Sequence, residues 1–339
     1  MPGSKKPSVR KISEITGFSP ATVSNALNGK RGVNKETAEH ILQVAQEMGY
    51  TMNHQKLKSI KFVLFRRNGL IIDDSPFHPA VIEGVEEAAK ANGMDTIFIR
   101  LNYGAPDFEL QVKNIVSDPN GGIILLATEM QEEDFQLFRC CKSPLILLDG
   151  WSERYPFDGV LINNQDSARR AVEYLIQKGH RQIGYIRGSF RIKAFCSREL
   201  GYRQTLAEHD LPLNPEWTVT VGTKTESAYV DMLAWLEEGH PLPTAFFADN
   251  DLIAFGVIRA LKEKGIKVPG DVSIVGFDDL PYSTVSSPAL TTILVHKRSM
   301  GWEAVRRLLT MMQEPAGCKF KIESCTDFVE RDSVRECLT

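Results

Sequence analysis

The run Ser19-Pro20-Ala21-Thr22-Val23-Ser24-Asn25-Ala26-Leu27-Asn28 carries small polar side chains at helical spacing and no carboxylate. With Val23, Ala26 and Leu27 turned inward, Pro20, Ala21, Thr22, Ser24, Asn25 and Asn28 stay outward, and Ala21 and Asn25 share one face. Such a face suits a DNA major groove. An Asn amide pairs with adenine through two hydrogen bonds and an Ala methyl touches the thymine methyl, while the hydroxyls of Thr22 and Ser24 suit phosphate oxygens; Ser19, at the start of the run, completes the candidate DNA-binding residues of this helix. Lys30 and Arg31 follow, and Lys5, Lys6, Arg10, Lys11 and Lys35 flank the run, as a polyanionic partner requires. A second set of polar residues stands just after apolar runs: Asp149, Asn163, Asp249-Asn250-Asp251 and Asp278-Asp279, with Arg198 opening a helix. Ligands of open α/β sheets bind outside the carboxyl ends of the strands. Any one of these residues alone serves equally as a helix cap, but their shared placement reads as a pocket.

The first set needs helices to present it. Val9, Ile12 and Ile15, then Val23, Ala26 and Leu27, recur at helical spacing. Between them, Gly17 ends one helix, Ser19 caps the next, and Pro20 takes a first-turn position that needs no N–H. A third helix carries Ala38, Ile41, Leu42, Ala45 and Met48 on one stripe. Three short helices around a small core make a helix-turn-helix. From residue 60 the pattern changes to apolar runs at 60–65, 95–100, 122–127, 144–149, 159–162, 182–187, 218–221, 245–248, 272–277 and 292–295. Amphipathic stretches fall between them at about 79–92, 107–117, 131–140, 165–178, 198–209, 225–238, 250–264 and 297–313. That alternation predicts an α/β class of two doubly wound parallel sheets behind an all-α headpiece.

The 339 residues, 42% apolar and 24% charged, are ordinary for a globular protein. The apolar runs are too short to span a membrane, and the N-terminus lacks the apolar stretch of an export signal, so a cytoplasmic location is expected. The net charge of -3 hides a division: residues 1–61 hold ten Lys plus Arg against four Asp plus Glu, and the rest 30 against 39. A basic headpiece on an acidic body assigns the polyanion to the headpiece. The six cysteines form no Cys-x-x-Cys pair and the seven histidines no metal spacing, so reduced, mostly buried thiols, no metal and no cofactor are expected.

Residues 9–28, with Val33 and Glu47-Met48-Gly49-Tyr50, closely resemble the headpiece of the LacI/GalR family of bacterial transcription repressors. Segments 179–186, 197–202, 250–256 and 268–279 resemble that family's effector core, which is similar to periplasmic sugar-binding proteins. The resemblance implies a headpiece over 1–50, a hinge over 51–60 and a two-lobed core over 61–339. The chain would cross between lobes near 162, 290 and 324, with one lobe from about 61–162 and 291–323 and the other from about 163–290 and 324–339. It further implies Arg198 and Asp251 as polar clamps on a small effector, Phe77 as a pocket aromatic, and Asp149 and Asn163 facing the cleft; Asp278 joins these effector candidates by its position after a strand. The family's hinge usually reads Tyr-x-Pro-Asn-x-x-Ala-Arg-x-Leu and wedges its Leu into the minor groove. Here the run is Tyr50-Thr51-Met52-Asn53-His54-Gln55-Lys56-Leu57-Lys58-Ser59, so Asn53 and Leu57 are the DNA contacts it offers, with Leu57 as the wedge only if the hinge is two residues short. Where several relatives place a pocket aromatic, this chain has Gly222-Thr223-Lys224. Lys224 with Arg187, Arg191, Lys193 and Arg198 makes a basic rim, which reads either as a solvated charged face or, more sharply, as a seat for a sugar acid or sugar phosphate.

The expected function is a homodimeric transcription repressor on a palindromic double-stranded operator, responding to a sugar or sugar derivative. The rivals are a sugar-binding protein and an α/β enzyme acting on a small polar metabolite. No Gly-x-Gly-x-x-Gly follows the first strand, and there is no His-Glu-x-x-His or Gly-x-Ser-x-Gly, so no catalytic residue is named.

Overall fold

Ser8 accepts a hydrogen bond from the Lys11 amide at 3.4 Å and so caps α1 (Val9–Thr16), which ends at Gly17 with φ of 73°. Only a residue without Cβ takes that left-handed turn at no cost. Ser19 accepts from the Thr22 amide at 3.1 Å and opens α2 (Pro20–Leu27). Asn34 accepts from the Thr37 amide at 2.7 Å and opens α3 (Lys35–Glu47). Ile12, Val23, Ala26, Ile41 and Ala45 form the core of this unit, with Phe18, Leu27 and Val33 packed around it. The computed structural model describes residues 8–27, 32–48, 59–314 and 317–337, and the chain divides into two units between Lys58 and Ser59.

The second unit starts at β1 (Ser59–Arg66), so residues 59 and 60, expected in the hinge, belong to the first core strand. There follow α4 (Phe77–Ala91), β2 (Asp95–Asn102), α5 (Phe108–Ser117), β3 (Gly122–Leu126), β4 (Leu145–Leu148) and β5 (Asp158–Ile162). These strands join β11 (Lys321–Ser324) in a six-stranded parallel sheet of order β11-β5-β4-β3-β1-β2. The central strands are buried on both faces, which is why Gly-Ile-Ile-Leu-Leu and Leu-Ile-Leu-Leu contain no polar residue. The second lobe contains α6 (Asn164–Gln177), β6 (Ile183–Gly188), α7 (Lys193–Glu208), β7 (Thr218–Val221), α8 (Thr225–Glu237), β8 (Ala245–Ala248), α9 (Asp251–Glu263) and β9 (Ser273–Val275). Its parallel sheet runs β7-β6-β8-β9.

β10 (Thr292–Leu294) pairs antiparallel with β12 (Asp327–Val329), and bridges Val275–Thr291 and Asp278–Leu294 set it beside β9. Residues 291–294 therefore lie with the second sheet, not with the first lobe as expected. The chain passes back to the first lobe only before α10 (Lys297–Gln313), which packs on α4. Three other expectations shift. The stretch at 131–140 is a 3-10 helix over Glu132–Phe138. α7 begins five residues before 198, so Arg198 sits in its second turn. Every cysteine is free, and none is buried.

Candidate functional site

In the headpiece, the core takes Val23 and Ala26 and leaves Ser19, Pro20 and Ala21 exposed. Thr22, Ser24 and Asn25 are half-buried along the same helix. Thr22 is tied to the cap through the Ser19 hydroxyl at 2.9 Å. Arg10 and Lys35 pair with Glu14 and Glu39 at 3.6 and 4.0 Å on exposed helix faces, contacts worth little and readily given up to a phosphate. Asn28, Lys30, Arg31, Asn53 and Leu57 lie outside the described residues.

In the core unit, polar groups from both lobes converge on one cavity lined by Phe77, His78, Thr128, Asp149, Arg198, Asn250 and Asp278, with Ile71 and Phe195 as apolar wall. Arg198 is 3% exposed. Its Nε donates to Asn164 Oδ1 at 2.8 Å, Nη1 to the Asp249 carbonyl at 2.6 Å and Nη2 to Asp278 Oδ1 at 3.4 Å. Its guanidinium lies 3.6 Å from the Phe277 ring centre, a cation–π seat that holds the plane of the group. Opposite, Asp149 Oδ2 accepts from the Thr128 hydroxyl at 2.7 Å. Asp149 and Asp278 both take positive φ, 55° and 113°, a strain of roughly 1–3 kcal/mol each that persists where surrounding structure enforces it. His78 is buried, and neither ring nitrogen has a hydrogen-bond partner. The cavity volume is about 20 Å³, room for one water. Sugar-sized ligands occupy sites of roughly 300 Å³ or more, so admitting one requires the lobes to part. A larger groove of about 920 Å³ lies on the first lobe alone, lined by Arg66, Asp73, Arg100 and Asn102. It lacks the contribution from both lobes that marks the cleft.

Residues 10–53 match the family described as bacterial regulatory proteins, lacI family, and residues 172–334 match the periplasmic binding protein-like domain. The chain is 30% identical over 341 residues to the "Probable HTH-type transcriptional repressor ExuR" of Bacillus subtilis, covering 98% of this chain and 99% of that protein. The chain belongs to the lacI family of bacterial regulatory proteins. It is a helix-turn-helix transcription regulator with a periplasmic-binding-protein-like core. It is also 29% identical over 333 residues to the HTH-type transcriptional repressor PurR of Pasteurella multocida, covering 97% of this chain and 99% of the relative. A solved lac repressor dimer bound to operator and the anti-inducer ONPF has a TM-score of 0.72 at 25% identity, covering 98% of this chain and 100% of that one. The transcriptional regulator CelR–cellobiose complex shares the fold, with a TM-score of 0.74 at 24% identity over 96% and 99% of the two chains.

Within this lacI-family core, Phe77, Asp149, Arg198 and Asp278 meet at the cavity and three other expected residues do not. Asp251 is fully buried, its carboxylate accepting from Thr292 Oγ1 at 2.6 Å and from Ser283 Oγ and the Leu280 amide at 2.8 Å. It ties the 280–292 segment to α9, and its neighbour Asn250 takes the cavity position. Asn163 caps α6, accepting from the Asp166 amide, and its neighbour Asn164 holds Arg198. Lys224 does not line the cavity and is paired with Asp74 across the lobes at 2.9 Å. The rest of the basic rim is likewise paired: Arg191 with Asp249 and Glu199, Lys193 with Glu132, and Arg187 with Glu199 at 3.9 Å. Thr128 and His78 were missed, and Asn250, read with the strand-end set, was passed over in favour of Asp251 as an effector contact. The available signals were the position of Thr128 and Asn250 just past strand ends and of His78 beside Phe77.

Burial pushes the Asp149 carboxyl up to about 6, against the Thr128 hydrogen bond and the Arg198 charge. A carboxyl raised on folding stabilises the fold below its unfolded pKa and loses that contribution as pH rises through the folded value. Burial holds His78 and His180 down to about 4, which works the other way. Asp149→Asn isolates the carboxyl, since Asn also tolerates the left-handed backbone. The unfolding midpoint of the variant relative to wild type is expected to rise between about pH 4 and 6; a difference independent of pH would contradict the burial of this charge.

Proposed function

We propose that this regulator is a homodimeric repressor of a near-palindromic operator that takes a neutral polyhydroxyl compound, a sugar, between its lobes. The convergence of Arg198, Asp278, Asp149, Asn250 and His78 carries this reading. The cavity sets one guanidinium against two carboxylates, a mix of donors and acceptors for hydroxyl groups, whereas a sugar acid or phosphate would need cations in excess. The rim cations that pointed to an anionic effector already have carboxylate partners. The ribose operon repressor of Haemophilus influenzae, 29% identical over 310 residues, supports the sugar class, and the operator-bound lac repressor dimer supports the twofold arrangement. Two headpieces on one duplex require half-sites related by the dimer axis. Asn28, Lys30, Arg31, Asn53 and Leu57 enter this proposal as DNA contacts from sequence alone. It is a binding protein rather than an enzyme, and it acts where the DNA is, in the cytoplasm. Among the described residues no helix is long and apolar enough to cross a membrane.

Selection of full-length protein on a random duplex pool is expected to enrich an inverted repeat, and thermal shifts are expected with neutral sugars before their phosphates. No enrichment, or shifts with the phosphates alone, would discard the respective half of the proposal. Asn25→Ala is expected to relax discrimination at one base pair per half-site by about 1–3 kcal/mol, read by competition with single-base operator variants. Equal loss on every sequence would mean that Asn25 contacts only the backbone.

A further inference from the structure

Glu129, shortly after β3, is fully buried, and the hydrogen bonds described for its carboxylate all come from the main chain. Oε2 accepts from the amides of Arg67, Asn68 and Gly69 at 2.9, 3.1 and 3.0 Å. Oε1 accepts from those of Ile71 and Ile72 at 2.9 and 3.0 Å. A buried carboxylate needs such satisfaction, but the loop it gathers does more than satisfy it. The loop leaves the end of β1 in the first lobe and reaches the second. The Leu70 carbonyl accepts from Thr223 Oγ1 at 2.8 Å. Ile71, 8% exposed, packs into the hydrophobic core of the second lobe and walls the ligand cavity. Glu129 also follows Thr128 directly, and the hydroxyl of Thr128 holds Asp149 at the cavity.

We propose that Glu129 is a positioning residue: by collecting five main-chain N–H groups it fixes the 67–72 loop as a strap through which the first lobe grips the second over the cavity. The ordering cost of the strap is met inside the first lobe, so contact with Thr223 and the second core comes without it. Weakening the strap lowers the cost of parting the lobes. Glutamine in place of Glu129 keeps the shape, but it leaves one acceptor oxygen and turns an NH2 towards N–H donors.

The test uses full-length wild type, Glu129→Gln, Thr223→Val and the double variant. Glu129→Gln is expected to speed hydrogen exchange of the 67–72 amides about tenfold or more, and Thr223→Val to speed that of Ile71 and Ile72 in the otherwise wild-type chain. With the strap already loose, Thr223→Val should add nothing in the double variant, either to exchange or to the unfolding midpoint. A residue that merely filled the first lobe's core would give additive effects, and additive midpoints overturn the proposal. If Glu129→Gln does not fold, Thr223→Val alone decides, because coupling is reciprocal: unchanged exchange at Ile71 and Ile72 overturns it. The test involves no ligand, so a wrong assignment of the cavity's contents leaves it intact.

Discussion

Arg198→Ala is expected to abolish the response of operator binding to the small molecule while leaving operator binding itself in place. Among the described residues Arg198 is the only cation lining the cavity, and it connects α6, the end of β8 and the segment after β9 through Asn164, the Asp249 carbonyl and Asp278. Removing it also leaves the buried Asp278 without its ion-pair partner, with the Lys297 charge still nearby, a loss of up to roughly 3–5 kcal/mol by comparison with other buried pairs. The pH dependence tests the cause. Arg198 lowers the pKa of both Asp149 and Asp278 against a burial effect that raises them. Without it both carboxyls rise further, and the stability deficit should shrink as pH falls and they protonate. Urea midpoints at pH 8 and pH 5.5 measure this; an equal deficit at the two values would mean that lost packing, not an unpaired charge, dominates. Arg198→Lys keeps the charge but not the forked geometry or the stacking on Phe277, so it should recover stability before it recovers the ligand response.

Asp251→Ala is expected to cost stability rather than ligand affinity. Its carboxylate gathers Thr292, Ser283 and the Leu280 amide, and deletion orphans all three donors at a cost of roughly 1–3 kcal/mol each where they stay buried. Gly276 shows how tight the arrangement is, since a Cβ there would fall 2.2 Å from Asp251 Oδ1. Burial pushes the Asp251 carboxyl up to about 7, with the Asp278 charge adding to the rise. Near neutral pH it is therefore partly protonated already, and Asp251→Asn should be far milder than Asp251→Ala. Chemical denaturation of the three proteins, with sugar binding measured where all are folded, separates the roles. Full stability with lost binding in Asp251→Ala would restore Asp251 as an effector clamp.

The Ser19 cap, the Gly17 stop and the Ser19-Pro20 start were legible in the sequence because each acts on the two or three residues beside it. So were the all-apolar central strands, whose burial on two faces excludes polar residues from the run itself. β11 and β12 were not: Lys-Ile-Glu-Ser and Asp-Phe-Val are short edge segments, and their strand state comes from the partners β5 and β10. Nor were the choices between neighbours legible. Asn163 and Asn164 are equally polar, as are Asn250 and Asp251, and a turn of the backbone at the strand end decides that Asn164 meets Arg198 and Asn250 lines the cavity. The chain's own order thus determined most of the elements, the exposed small-polar face at the start of α2 and the set of strand-end residues, since these rest on periodicity and local hydrogen bonds. Tertiary structure alone decided which strand-end residue meets Arg198, which cations are already neutralised, and that Glu129 serves a loop some sixty positions earlier, because burial and charge pairing depend on atoms brought together from distant parts of the chain.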